Sequence, residues 1–453
     1  MRPYHAWILA VLLTPGCGPA GGRGPGHGSG PGSSTSGDGG STPGGGGPSG
    51  PTFSSMCNGA PTTLSGAVMA PNGVDPVANA FAYVPLSMGS FPAGVSCDLC
   101  DQPIDGSAAQ AVSGPDGSFK LDLSNLAPSA QVAISVAKGR FRRTGMVAVT
   151  PCQDNPIGAP STVLPGKAQG SDEIPKIAVA TGNKDQLDAV LAAMGLDKSV
   201  GFDCYEGRAS STTTLTSPCG SHGTLPAIET LLTDGTKLDT YNMLFLSCAP
   251  GKFKSLSAQD QTTIAANLVA WTQKGGRLFV TDNSYDYLAQ AFPNAITFLN
   301  GNATVDAANV GVGGTTSMPA SYTGRINDAT LAAWLTAVSV LPHGSNTITL
   351  SGYLSKWSVV QSVPMSTVDE VDATDAVAYQ TGTTTPGTAM TYPQSIQFDI
   401  TPPGGSAACG RAIYTSYHTL PSTMAVDATE LAPQERILEY LMFEAGACVG
   451  TIG

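Results

Sequence analysis

Three side chains carry the chemistry of a nucleophile and its base: Cys248, Ser284 and His418. Cys248 ends the apolar run Met243-Leu-Phe-Leu-Ser-Cys248, Ser284 closes Thr281-Asp-Asn-Ser284 after Leu278-Phe-Val280, and His418 follows Arg411-Ala-Ile-Tyr-Thr-Ser-Tyr417. Nucleophilic catalysis needs a thiol or hydroxyl beside a base and no particular fold. A Ser or Cys attacking an amide or ester, with His418 taking its proton, would make the chain a hydrolase. His5 and His27 fall in the leading segment, so the base must come from His222, His343 or His418, and only His418 sits at a predicted strand end. The plainer reading of His418 is a structural or surface histidine.

Other constellations are weaker. There is no Gly-x-Ser-x-Gly elbow, no phosphate-cradling Gly-x4-Gly-Lys-Ser/Thr loop and no His-Glu-x-x-His zinc helix. Asp369, Glu370, Asp372 and Asp375 supply the oxygens a hard cation takes, but without the loop glycine and fixed spacing they read as a solvated loop. No metal or cofactor is expected. The aromatics give no obvious sugar-stacking platform, Trp357 and the nearby Tyr353 being the residues that would contribute to one. Lys138, Arg140, Arg142 and Arg143, around Phe141, read as solvated edge charges that block edge-to-edge strand pairing, with an anionic-glycan contact as the alternative.

The elements that must position these groups fall into two parts. From 56 to 168, short alternating strands such as Phe119, Leu121, Leu123 and Val132, Ile134, Val136 are separated by Asn72-Gly73 and Asp116-Gly117 turns, an all-β pattern. From 172 to 453 strands alternate with helices. Ile177–Ala180 reads as a buried strand, followed by a helix over Leu187, Val190, Leu191 and Met194 with Asn183 and Gln186 as a capping box and Gly195 as its end. A βαβ unit follows: strand 241–248, helix 257–274 with Ile264, Leu268 and Trp271 on one face, and strand 278–280. Ile396, Phe398 and Ile400 alternate, and a closing helix begins at Pro433, a first-turn position that suits proline. Residues 296–395 are Ser/Thr-rich and β-leaning, and are expected to be an insertion.

Ten cysteines stand in the chain. With Cys17 set aside as an anchor, an odd number remains, and Cys248 in its apolar run is the expected free thiol. Position suggests Cys204 with Cys219, Cys409 with Cys448, Cys57 with Cys152, and Cys97 with Cys100. A redox or metal role for Cys97-x-x-Cys100 has no second pair to support it.

Two resemblances refine the architecture. Leu64-Ser-Gly-Ala-Val, Asn72-Gly73, Ala80-Phe-Ala-Tyr-Val-Pro85 and Gly114-Pro-Asp-Gly-Ser-Phe119 resemble carboxypeptidase regulatory-like domains, transthyretin-like β-sandwiches that are mostly structural or binding modules. Tyr241–Cys248, Gly275-Gly-Arg-Leu-Phe-Val-Thr-Asp282 and Gly410-Arg-Ala-Ile-Tyr-Thr-Ser-Tyr-His418 resemble the class I glutamine amidotransferase-like superfamily, in particular its trehalose-utilisation-type branch. The resemblance implies a flavodoxin-like three-layer α/β sandwich. Catalytic members place a Cys on a Gly-flanked strand-to-helix turn, and that elbow is missing here.

Residues 1–17 carry Arg2, the apolar run Ala6–Leu13 and Gly16-Cys17, which is export-signal grammar. The junction resembles a bacterial lipoprotein processing site with Cys17 as the lipid-bearing residue, although Thr14 stands where such sites usually carry Leu. Residues 18–55, almost wholly Gly, Pro, Ser and Thr, are expected to form a disordered tether reaching about 35 Å as a Gly-rich coil. The formal charge of −12 argues against nucleic acid. These features predict a non-catalytic lipoprotein of the cell envelope, probing outward from the outer membrane of a Gram-negative-type bacterium and binding an envelope protein or glycan. The alternatives are ordinary secretion, and a hydrolase built on His418 with Ser284 or Cys248.

Overall fold

A computed structural model of the chain describes residues 50–87, 89–98, 107–209, 217–299, 305, 309–311, 321–351, 356–363, 367–375, 390–417, 419 and 431–447. Residues 50–453 make one compact unit. Cys17, Cys100, His418 and Cys448 lie outside the described residues, as does Tyr353.

The first element of the described residues is the one-turn helix α1 (Phe53–Met56), capped by Thr52, whose hydroxyl accepts from Ser55 N. Phe53 is fully buried. The segment expected to be tether up to residue 55 therefore joins the fold at its last residues, because one aromatic side chain gives it apolar surface to bury.

Two sheets follow. The strands β1 (Thr63–Ala67), β2 (Phe81–Pro85), β3 (Ser107–Val112), β4 (Ser118–Asp122), β5 (Gln131–Lys138), β6 (Phe141–Ala148) and β7 (Asp154–Pro156) pair in the orders β4-β1-β7 and β3-β2-β5-β6. Phe119 and Leu121 alternate with exposed neighbours on β4, and they share a core with Leu64, Ile134 and Val136. This is the two-layer arrangement that the period-two pattern demands. Cys57 and Cys152 are bonded as expected.

The second part begins with β8 (Ile177–Ala180), α2 (Leu187–Ala193), β9 (Asp203–Tyr205), α3 (Glu229–Leu232), α4 (Gly235–Leu238), β10 (Met243–Leu246), α5 (Ala258–Gln273), β11 (Arg277–Thr281) and α6 (Asp286–Ala291). Ser257 caps α5 by accepting from Asp260 N, and Ile264, Leu268 and Trp271 are its buried residues, as their spacing requires. The capping box proposed for α2 does not form. Gln186 occupies the N-cap position without a side-chain cap, and Asn183 instead accepts from Ala209 N at 2.9 Å.

The 296–395 stretch does not stand apart from this sheet. It supplies β12 (Thr297–Phe298), β13 (Asn309–Gly311), β14 (Ser321–Ile326), α7 (Ala329–Ala337), β15 (Thr347–Ser351), β16 (Lys356–Ser358), β17 (Val360–Ser362), β18 (Thr367–Asp375) and the start of β19 (Met390–Ile400). Of these, β14, β15, β18 and β19 join β20 (Gly410–Thr415) in a nine-stranded sheet in the order β15-β14-β18-β19-β20-β11-β10-β8-β9, while β12 pairs with β17 and β13 with β16 in two separate ladders. Strands β9, β8, β10, β11 and β20 are parallel, whereas β19, β18, β14 and β15 extend the sheet antiparallel. Within the parallel part the order is 2-1-3-4-5, one of the common doubly wound orders. Helix α8 (Pro433–Gly446), with proline in its first turn, closes the chain.

The two parts are fastened along the amino ends of the parallel strands and along α8. Here the basic strand departs from expectation. Lys138 and Arg140 are buried, and each of the four cations finds a carboxylate: Lys138 Nζ lies 2.8 Å from Glu444, Arg140 Nε 2.9 Å from Asp98 and Arg143 Nη2 2.7 Å from Asp172, while Arg142 pairs with Glu173. They form a seam and not a solvated edge, because the second part covers them. Arg140 and Arg142 also lie against the Phe91 ring, at 5.6 and 4.4 Å.

The cysteines of the seam pair differently from the sequence expectation. Cys97 is bonded to Cys409 across a sequence separation of 312 residues, which excludes both Cys97–Cys100 and Cys409–Cys448. The loop carrying Cys97 lies against the strand ends: Val95 N donates to Asp239 O at 2.9 Å and Asn242 Nδ2 to Gly94 O at 2.6 Å. Gly139 turns the β5–β6 hairpin with φ +54°, and a Cβ there would stand 1.7 Å from Gly446 O at the end of α8. No helix among the described residues is long and apolar enough to cross a membrane.

Candidate functional site

Open α/β sheets hold ligands outside the carboxyl ends of their strands, at the point where the strand order reverses. In this sheet that point lies between β8 and β10. The chain leaves β8 through Thr181–Asp185, β10 through Ser247 and Cys248, β11 through Thr281–Ser284, and β20 through Ser416 and Tyr417.

Cys248 and Ser284 do come together here. Ser284 Oγ donates to Ser247 O at 2.7 Å and accepts from Ala249 N at 3.3 Å, so it grips the turn that carries Cys248. Its proton goes to a main-chain oxygen and not to a base. Cys248 is the free thiol among the described residues, as expected, and is fully buried. Its Sγ faces Asp282 Oδ2 at 3.5 Å and Asn283 Nδ2 at 3.9 Å. Burial, then the negative charges of Asp282 and Asp185, push the Cys248 thiol well above its ordinary range, against the Asn283 donors. An activated thiol requires the reverse, a nearby cation or helix N-terminus that favours thiolate.

Asp282 organises this edge. It has φ +36°, a left-handed conformation that a non-glycine residue adopts rarely. Its Oδ1 accepts from Ser358 N at 2.8 Å and its Oδ2 from Asn283 Nδ2 at 2.7 Å. Tyr414, buried on β20, donates to Ser358 O at 2.8 Å, and burial and the Asp282 charge drive its phenol well above the ordinary range. Asp185, also buried, accepts from Thr281 Oγ1, from Gln186 N at 2.9 Å and from Thr419 N at 3.0 Å. The edge is thus a network of buried carboxylates bonded to neutral donors.

A second group, not singled out from the sequence, lies one strand away. Glu206, at the end of β9, accepts from Arg208 Nε at 2.7 Å and Nη2 at 2.9 Å, from Thr181 Oγ1 at 3.0 Å and from Gly223 N at 2.9 Å. Burial pushes its carboxyl up, but Arg208 and the Gly223 amide outweigh it and hold the group down at about 2. His222 Nδ1 lies 3.2 Å from Glu206 Oε2. A Glu-x-Arg triplet and a distant histidine have no distinctive spacing, so nothing local announced the cluster.

The other sequence candidates separate. Trp357 is buried in the core and presents no stacking platform. Asp372 is buried and pairs with Arg325 at 2.6 Å, while the side chains of Asp369, Glu370 and Asp375 fall outside the described residues. Among the described residues no group of three or more His, Cys, Asp or Glu side chains is placed to hold a metal ion. Cys204 and Cys219 are bonded as expected.

Two clefts lie where the sandwich meets the α/β part. One of about 560 Å³ is bounded by Phe91, Gly94, Arg140, Glu173, Lys176 and Asn242. The other, of about 870 Å³, runs between the Gly114–Ser118 turn and α7, with His343 and Asn346 on its rim. Both fall in the size range of small-molecule sites, which favour domain junctions. In comparison with known proteins, the chain matches no protein-family model and no curated sequence.

Proposed function

We propose that this chain is a non-catalytic lipoprotein of the cell envelope, a binding or structural module held off a membrane by residues 18–49 with Cys17 as its lipid-bearing residue. In this reading the sandwich is a carboxypeptidase regulatory-like domain, and the α/β part is an amidotransferase-like domain of flavodoxin-like topology that has lost its nucleophile elbow. The observation that carries the non-catalytic reading is the state of Cys248: a fully buried thiol facing a carboxylate, kept protonated where a nucleophile would have to ionise. Ser284, whose proton is held by a backbone oxygen, supports the same conclusion.

The junction supports the binding half of the proposal. The parts are joined by a disulfide and by the ion pairs of Lys138 with Glu444, Arg142 with Glu173 and Arg143 with Asp172, so the clefts between them are held in shape before any ligand arrives. Preorganisation of that kind lowers the ordering cost of binding an envelope protein or glycan.

Intact mass of the protein recovered from host membranes tests the anchor. Expected is a mass beginning at Cys17 with added acyl chains, and an unacylated mass with another start overturns it. Purified protein is then offered amide and ester substrates. Turnover abolished by Cys248→Ala, Ser284→Ala or His418→Ala would establish the hydrolase instead.

A further inference from the structure

Where the sandwich turn Asn72–Asp75 meets α8, two carboxyl groups and one guanidinium are enclosed together. Arg436 Nη1 lies 2.6 Å from Asp75 Oδ1 and 2.9 Å from Glu439 Oε2. Glu439 is fully buried and Asp75 is 6% exposed. Asn72 Nδ2 donates to Asp75 Oδ2 at 2.6 Å and to Ala193 O at 3.1 Å, which ties the turn to the end of α2. One guanidinium nitrogen thus holds an oxygen of each carboxyl group, which sets the two carboxyls side by side against a single cation. Glu439 Oε1 is buried, and no donor among the described residues reaches it.

We propose that Glu439 holds a proton where it faces Asp75 across this junction, and that its removal as the pH rises loosens the contact between the sandwich and α8, making the junction a proton-controlled latch. With the proton present, the enclosed charge is one carboxylate against Arg436. Without it, two carboxylates face one guanidinium with little water to screen them, and like charges at such range cannot both ionise cheaply.

The charges acting on Glu439 are those of Asp75 and Arg436. Elsewhere on α8, Glu435 accepts from Ala432 N and Glu444 pairs with Lys138. Asp188 of α2 is taken up by Ser217 and Cys219 N, and Arg411 of β20 by Asp399. Arg277 of β11 binds Cys409 O and Asp98 O. Helix α7 and strand β15 contribute no charged side chain, and Trp334 of α7 lies on Tyr440 with centroids 5.5 Å apart.

Burial, then the Asp75 charge, push the Glu439 carboxyl up to about 8. Because the folded value is raised, the stability it contributes is complete below the ordinary carboxyl range and is lost as the pH climbs through about 8.

The test is thermal unfolding and hydrogen exchange of the full chain between pH 6 and pH 9. In the unsubstituted protein the midpoint is expected to fall by roughly 3 °C or more over that interval, and exchange in the 72–75 turn and α8 to rise about tenfold after correction for intrinsic rates. Glu439→Gln, which keeps a neutral donor for Asp75, should abolish both changes. Asp75→Asn leaves Glu439 to ionise against Arg436 alone and should move the transition to lower pH. Equal alkaline slopes for the unsubstituted protein and Glu439→Gln, or an exchange change located away from α8 and the turn, overturn the proposal. If Glu439→Gln does not fold, Asp75→Asn decides, since an unshifted transition overturns it as well.

Discussion

The two ends of the parallel strands use polar residues in opposite ways. At the carboxyl ends, Asp185 and Asp282 are buried among hydroxyls, amides and a thiol, and neutral donors satisfy them. At the amino ends carboxylates meet cations: Arg140 with Asp98 and Arg411 with Asp399 within the parts, and Lys138 with Glu444, Arg142 with Glu173 and Arg143 with Asp172 between them. Burial and the neighbouring Arg411 push even the Arg277 guanidinium down, to about 9. The difference indicates which end carries mechanical work. Ion pairs buried between two parts are geometrically demanding, and removing one partner leaves an uncompensated charge. A network of neutral donors tolerates the loss of one member more easily. Apart from the buried Arg208–Glu206 pair beyond β9, the molecule's charged chemistry is therefore concentrated in its seam, and the edge around Asp185 and Asp282 is stabilised by local hydrogen bonds.

If that contrast is right, lesions in the seam should cost more than lesions at the carboxyl edge. The largest effect is expected from Cys97→Ser with Cys409→Ser. The disulfide closes a loop with a separation of 312 residues, and its loss should lower the unfolding free energy by about 5 to 6 kcal/mol on the chain-entropy account. Denaturant midpoints of the double variant and of the oxidised parent measure this, and a difference below about 1 kcal/mol would remove the disulfide from the comparison.

Next comes Lys138→Met, which strands Glu444 beside a buried apolar surface and should cost about 3 kcal/mol. The paired variant Lys138→Met with Glu444→Leu should recover most of that loss. A double-mutant cycle that finds no coupling between the two positions would show that the ion pair does not bind the parts.

Gly139→Ala should cost about 2 kcal/mol, combining a disfavoured positive φ with overpacking against the end of α8. The diagnostic result is a lower midpoint together with faster exchange in α8, because the clash is with Gly446 O. Unchanged stability would mean that the hairpin and helix separate without cost.

The carboxyl edge should respond less. Cys248→Ala removes a thiol from a fully buried site and is expected to cost about 1 kcal/mol, by analogy with small core truncations. In the native protein Cys248 should resist alkylation at pH 8 and react only on unfolding. Rapid labelling of the folded chain would contradict both its burial and its protonated state. The smallest effect belongs to an exposed pair at the amino ends: Lys274→Ala, whose partner Asp239 is about one-third exposed, should change stability by under about 0.5 kcal/mol.

Several features were legible because they are local. The helix over Ala258–Gln273 follows from Ser257, its cap, and from apolar residues at helical spacing between strands of continuous apolar sequence. The bond between Cys204 and Cys219 spans a separation of only 15 residues, and Cys248 reads as buried from the run that carries it. The proximity of Cys248 to Ser284 also follows, since consecutive parallel strands deliver both to one edge. Asp282 was in view as part of a four-residue stretch, but its role depends on Ser358 from a distant strand.

What the tertiary structure alone decided is the partner of each long-range group. Lys138, Arg140, Arg142 and Arg143 look like the charges of a solvated edge until residues 29 or more positions away, or even the final helix, are brought against them. Cys97 has Cys100 as its nearest sequence neighbour and Cys409 as its partner in space. The 296–395 stretch has the composition of an insertion and the geometry of a sheet extension. In each case the sequence determined that a residue can bond, through its type and its periodic place on an element, because those properties are set by neighbours a few positions away. Which group it bonds depends on how the sandwich docks on the amino ends of the strands, and that is fixed by the shape of two buried surfaces that no local pattern records.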